Sequence, residues 1–151
     1  MNGKLISSLL LVIFLACVGA AQTQVVPDPE IQKLLEFEKN FPNSKALSDL
    51  YVSLLSLLHQ RNDQIKIEEV GERALKSFPD NFTILLTVSH NYGLQKKNLD
   101  RAIQLAQRAV DVLTRQKGEQ RYQDDPKWKA YIDSVSTAAK ANLNWLNSLI
   151  H

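Results

Sequence analysis

Apolar residues recur three and four positions apart along most of the chain, which is the spacing that places side chains on one face of an α-helix. No segment shows sustained alternation of apolar and polar residues, so the pattern gives no sign of a sheet. Breaks in the apolar pattern divide the chain after residue 27 into six predicted helices. These helices lie near residues 29–41, 45–60, 64–77, 82–96, 98–116 and 127–150. The sequence therefore predicts an all-α fold.

The ends of these predicted helices carry the expected local signals. Asp28 precedes Pro29, and Asp125 precedes Pro126. In each pair the aspartate can cap free backbone N–H groups, and proline suits the first position of a helix. Asn98 is a further candidate cap, ahead of the fifth predicted helix. The polar segment 117–124 contains no apolar repeat, and we predict a loop there.

Two stretches of the chain are similar to each other. Phe41-Pro42-Asn43 returns as Phe78-Pro79-Asp80 thirty-seven residues later, and Ala74 returns as Ala109 thirty-five residues later. Each period holds two predicted helices. A period slightly above 34 residues with a helix–turn–helix unit is typical of tetratricopeptide (TPR) repeats.

Several positions in residues 34–115 resemble the TPR pattern. In the first repeat they are Tyr51, Leu54, Leu55, Leu58, Ile67, Ala74 and Pro79, and in the second Leu85, Val88, Ser89, Tyr92, Ala102 and Ala109. Leu34–Pro42 resembles the closing half of an earlier repeat. The resemblance implies one domain over 28–151, with two repeats, a preceding half repeat and a long C-terminal helix. That helix would cap the array, since arrays of this kind cannot bury their end faces.

The TPR resemblance also implies a groove for a partner segment, lined by the first helix of each repeat. The positions that it nominates are Asp49, Val52, Ser56, His59, Gln60, Thr83, Leu86 and His90. The lysine, arginine and asparagine cluster with which some family members hold a C-terminal carboxylate is not matched, so we do not predict that activity. An alternative stays open, in which the last helix fills the groove and these are ordinary surface residues.

The last predicted helix has a second apolar stripe beside its main one. Tyr131, Ala138 and Trp145 recur every seven residues, which is almost two helical turns. One interpretation makes this stripe part of a single broad core face. In the other, Trp145 is exposed as an anchor for a partner.

Residues 1–21 are typical of a secretory signal peptide. A short segment with one positive charge precedes an apolar run from Leu5 to Val18, and the small residues Gly19 and Ala21 suit cleavage before Gln22. The run has fourteen residues, fewer than the ~20 that span a bilayer. Residues 22–27 are predicted to be a flexible lead-in. Phe14-Leu15-Ala16-Cys17 also resembles a bacterial lipobox, so Cys17 is a candidate lipidation site.

The composition of the chain excludes some classes of function but does not identify one. The chain has 151 residues with 18 Lys and Arg against 16 Asp and Glu, so it lacks the strong positive charge typical of nucleic-acid binding. Its single cysteine excludes an intrachain disulfide and a multi-cysteine metal site. We therefore expect no nucleic-acid partner. The sequence does not indicate an oligomeric state.

No set of residues in the sequence suggests catalysis. His59, His90 and His151 stand in no metal-binding motif, and no glycine-rich phosphate loop is present. We predict no enzyme activity, cofactor or metal. Arg101, Arg108 and Arg115 recur on one helix face and favour either a solvated outer surface or a surface for an anionic partner.

The sequence thus favours an exported, non-catalytic module or scaffold that binds an unidentified protein or peptide in the periplasm or cell envelope of a bacterium. A second hypothesis is an envelope assembly factor tethered to the membrane through Cys17. The membrane is a partner only if Cys17 is lipidated or the leader is retained. A third hypothesis is a small-ligand binder or enzyme with a pocket between helices.

Overall fold

The computed structural model describes residues 28–150, and the predicted signal peptide, the predicted lead-in and Cys17 lie outside them. Helices account for 82% of the described residues, which contain no strand. The all-α prediction is confirmed. The helices are α1 (Pro29–Asn40), α2 (Ala46–Gln60), α3 (Gln64–Ser77), α4 (Phe82–Leu94), α5 (Leu99–Lys117), α6 (Gln120–Asp124) and α7 (Pro126–Ser148). None of the helices in this range is long and apolar enough to cross a membrane.

Aspartate and asparagine side chains cap several of the helices. Asp28 accepts a hydrogen bond from the backbone of α1, Asn81 from α4 and Asp125 from α7. The prediction for Asn98 is wrong in its detail. This residue precedes α5, but its φ is 48° and its side chain makes no capping bond. Asparagine tolerates this left-handed conformation better than most residues, which is how it suits the turn.

The segment predicted as a polar loop contains the short helix α6. Its anchor is Tyr122, which is 9% exposed and packs in a cluster with Leu113 and Ile132. The Tyr122 hydroxyl donates a hydrogen bond of 2.8 Å to Asp133 on α7. One apolar residue gives no periodic signal, so the sequence pattern did not reveal this helix.

Each helix packs mainly against its neighbours in the chain, and α7 covers α5. The α2 helix also contacts α4, and α4 also contacts α7. The main core contains apolar side chains from α1 to α5 and Leu146 from α7. Ala102, Ala106 and Ala109 are fully buried on α5, where their small side chains let neighbouring helices approach closely.

Two glycines mark the closest helix crossings. A Cβ atom on Gly71 of α3 would collide with the Val88 side chain of α4. A Cβ atom on Gly93 of α4 would lie 2.5 Å from side-chain atoms of both Trp145 and Leu146 on α7. Glycine at these positions therefore sets how closely α4 approaches α3 on one side and α7 on the other.

The arginine stripe of α5 is paired with carboxylates. Arg101 contacts Glu72 of α3, while Arg108 and Arg115 both contact Asp80 in the turn before α4. Nearby, Lys97 contacts Glu68. The stripe is therefore a solvated outer surface whose charge is balanced by these carboxylates. An unpaired basic patch for an anionic partner is not present there.

Ion pairs around Asp133 lead to a prediction about acid stability. The pKa of the Asp133 carboxyl lies well below its usual range. The largest cause is its hydrogen bond with Lys117, followed by those with Lys129 and the Tyr122 hydroxyl. A carboxylate whose pKa is lowered on folding adds stability above its unfolded pKa, near 4, and that stability is lost as the pH falls. We expect the thermal unfolding midpoint to fall as the pH drops from about 5 to 2.

The same measurement on Asp133→Asn should show a shallower fall, because the titrating group is gone. Asp49→Asn is the control, since Asp49 is exposed and forms no ion pair with residues 28–150. Equal slopes for wild type and Asp133→Asn would contradict the role given to Asp133.

Candidate partner-binding groove

A groove runs between α2 and α4 on the side that the sequence nominated. It has a volume of about 360 Å³. Its lining contains Val52, Ser56, His59, Thr83, Leu86 and His90, together with Thr87. Six of the eight nominated residues therefore lie together. Asp49 and Gln60 are exposed and lie outside the lining.

The groove continues between α4 and α7. A second cavity of about 450 Å³ is lined by Leu86, His90, Ala138, Ala141, Asn142 and Trp145. Because Leu86 and His90 line both cavities, the two form one surface, which we call the α2–α4–α7 groove. Helix α7 forms one wall of this groove and leaves it open.

Trp145 is partly buried, so neither interpretation of its stripe holds in full. The side chain packs on the core and also faces the groove, with its ring 5.0 Å from that of His90. Tyr131, on the same stripe, is 46% exposed. The close crossing at Gly93 brings Trp145 over α4, because any larger residue there would meet the indole ring.

A chain of hydrogen bonds runs beneath the groove. The Ser89 hydroxyl, which is fully buried, donates to the carbonyl oxygen of Leu86 at 2.9 Å. The Asn142 side-chain N–H donates to Ser89 Oγ at 3.0 Å, and Asn142 Oδ1 lies 3.1 Å from His90 Nδ1. These hydrogen bonds link Ser89 and His90 on α4, at the base of the groove, to Asn142 on α7, which forms its wall.

The groove lining is mixed in chemistry but contains no Lys, Arg, Asp or Glu side chain. It combines aliphatic groups, the Trp145 indole, two imidazoles and several hydroxyl or amide groups. Charged segments would lose their hydration here without gaining an opposite charge, so the groove suits an uncharged segment.

A separate apolar pocket of about 380 Å³ lies between α1 and α2. Its lining contains Glu30, Lys33, Leu34, Phe37, Leu50, Ser53, Leu54 and Leu57. Leu50 is 40% exposed there. No separate pattern predicts this pocket, because its residues have the spacing of the core faces of two ordinary amphipathic helices.

We compared the chain with family models, with curated proteins and with solved structures. No family model, curated protein or solved structure matches the chain. Within residues 28–150, no group of three or more His, Cys, Asp and Glu side chains is placed to hold a metal ion. His59 and His90 both line the groove, with ring centres 6.4 Å apart and ring planes inclined at 59°.

Proposed function

We propose that the protein is an exported, non-catalytic interaction module of TPR-like architecture, which binds a partner segment in the α2–α4–α7 groove. The observation that carries this proposal is an open groove with an apolar and hydrogen-bonding lining and no charged side chain. Leu86 and Trp145 would receive an apolar side chain. His59, Thr83 and Asn142 would hydrogen-bond the partner's backbone.

Ion pairs between alternate helices support the repeat architecture. Glu38 on α1 contacts Arg73 on α3 across 35 residues, and Glu72 on α3 contacts Arg101 on α5 across 29 residues. The second helices of successive TPR-like units would lie side by side in this way. Helix α7 then occupies the place of a third first helix, beside α4.

Export rests on the sequence of residues 1–21. Cleavage before Gln22 would give a free module in the periplasm or cell envelope. Lipidation at Cys17 would instead tether the same groove to a membrane as an envelope assembly factor. In both arrangements the groove performs the binding, so the groove is the part to test first.

Photo-crosslinking at α7 tests the groove in the producing cell. A photoreactive amino acid at Ala138, which is exposed and lines the groove, should give a discrete adduct with one partner. The same amino acid at Ala130 is the matched control, because that alanine is exposed on α7 but is not part of the lining. Adding Leu86→Asp to the Ala138 probe should weaken the adduct severalfold, since a buried charge without a partner is costly.

Three outcomes would oppose the proposal. An adduct of equal strength at Ala130 and Ala138 would mean that contact with α7 is not specific to the groove. An adduct that survives Leu86→Asp would place the partner elsewhere. The absence of any adduct from groove positions on both α7 and α2, with Ser56 as the α2 position, would mean that the groove is unused.

A further inference from the structure

We propose that His59 and His90 form a two-ligand site for a divalent transition metal ion that prefers imidazole, such as Zn²⁺. Imidazole nitrogen is among the commonest protein ligands of such ions. The two side chains come from the contacting helices α2 and α4 and line the same groove, with ring centres 6.4 Å apart and ring planes inclined at 59°. Water or a bound partner would supply the remaining ligands.

The hydrogen-bond chain beneath the groove decides which nitrogen of His90 is free. The Leu86 carbonyl only accepts, so the Ser89 hydroxyl proton points toward it. Ser89 Oγ then accepts from the Asn142 amide N–H, and Asn142 Oδ1 faces His90. Because that oxygen can only accept, the His90 proton sits on Nδ1. The neutral His90 ring therefore keeps its Nε2 lone pair free to bind a metal ion.

This arrangement is the one that metal-binding histidines use. A ligating imidazole almost always donates its other N–H to an oxygen, which fixes the tautomer and the ring orientation. Asn142 provides that oxygen for His90 at 3.1 Å. Ser89 is fully buried and holds the Asn142 amide in turn. The hydrogen-bond chain therefore runs from a fully buried hydroxyl at Ser89 to the partly exposed imidazole of His90.

The separation of the two rings fits a shared ion after a small movement. With Zn–N bonds of about 2.0–2.1 Å, two imidazoles on one ion have ring centres roughly 5–6 Å apart, depending on the N–Zn–N angle. The observed separation is 6.4 Å. His59 is exposed and can turn toward His90, which is held by Asn142 and packs against Trp145.

The test is a Zn²⁺ titration of the purified chain carrying Cys17→Ser, which removes the only thiol. Long-range ¹H–¹⁵N spectra of the imidazoles report the tautomer and the ligating nitrogen directly. Before Zn²⁺ is added, His90 should show the proton on Nδ1. The nitrogens of His59 and His90 should then shift together and saturate at one Zn²⁺ per chain.

Variants identify the ligands and the positioning residue. His59→Gln and His90→Gln should each weaken Zn²⁺ binding by about tenfold or more, and Asn142→Leu by about tenfold through loss of the fixed tautomer. His151→Gln, which changes the third histidine, should leave the affinity unchanged. Far-UV circular dichroism checks that each variant is folded, and His59→Gln changes only an exposed side chain.

Three results would overturn the site. One is the absence of saturable shifts in excess Zn²⁺. Another is Zn²⁺ binding that is unchanged in both His59→Gln and His90→Gln. The third is a His90 tautomer with the proton on Nε2. Since the titration needs no partner, failure of the metal site and failure of the proposed partner binding are separate results.

Discussion

Leu85→Ala is expected to lower the free energy of unfolding by about 2–5 kcal/mol, the range for removing a buried leucine side chain and leaving a cavity. Leu85 is fully buried on α4, in the main core. The helix that carries it packs against α3, α5 and α7 and also contacts α2. Its neighbours are therefore held by other contacts and cannot collapse far into the space. Urea unfolding followed by circular dichroism measures the loss.

The same substitution on the same helix provides the control. Leu94, at the end of α4, is 45% exposed, and Leu94→Ala should cost about 0.5 kcal/mol or less. Similar losses at the two positions would contradict the placement of α4 at the centre of the core. A lower slope of the unfolding free energy against urea would instead indicate that Leu85→Ala has changed the unfolded state.

Gly71→Ala is expected to destabilise the protein by about 1–3 kcal/mol, although alanine is the better helix former. The added methyl group would collide with Val88, which is fully buried on the facing helix. Valine is stiff at χ1, so it cannot turn away without strain. The result would be separation of α3 from α4, with loss of contacts along both helices.

A double-mutant cycle separates this collision from other effects. Val88→Ala alone should destabilise the protein by leaving a cavity. The double variant Gly71→Ala, Val88→Ala should lose less unfolding free energy than the two single variants lose together, by about 0.5–3 kcal/mol. Strict additivity would mean that the two residues do not meet. A neutral or stabilising Gly71→Ala would show that the helices cross farther apart than described here.

The sequence predicted the helices well because their signals are local. Apolar spacing and caps such as Asp28 and Asp125 act within one or two turns, so the helix bounds agree within about two residues at most ends. Six of the eight nominated residues line one groove between α2 and α4, and their role in binding a partner stays a prediction. All eight residues were nominated by repeat position, which does not determine whether a side chain faces the groove, and Asp49 and Gln60 lie outside the lining.

Several features that the sequence did not predict depend on contacts between distant residues. The wall formed by α7 includes Asn142, which is 52 residues from His90 in the chain. Nothing in the local spacing of alanines such as Ala138 and Ala141 distinguishes a groove wall from a solvated face. Likewise, the pairing of Arg108 with Asp80 bridges 28 residues, so the sequence alone left open whether the α5 stripe is a solvated outer surface or a surface for an anionic partner.

The order of helix contacts has a consequence for how the chain folds. Because each helix packs chiefly on the next one along the chain, most native contacts join residues close in sequence. Proteins with such local contacts fold in microseconds to milliseconds, since little loop-closure entropy opposes each step. A chain of this kind can therefore become compact soon after synthesis, so its core is exposed to aggregation for only a short time.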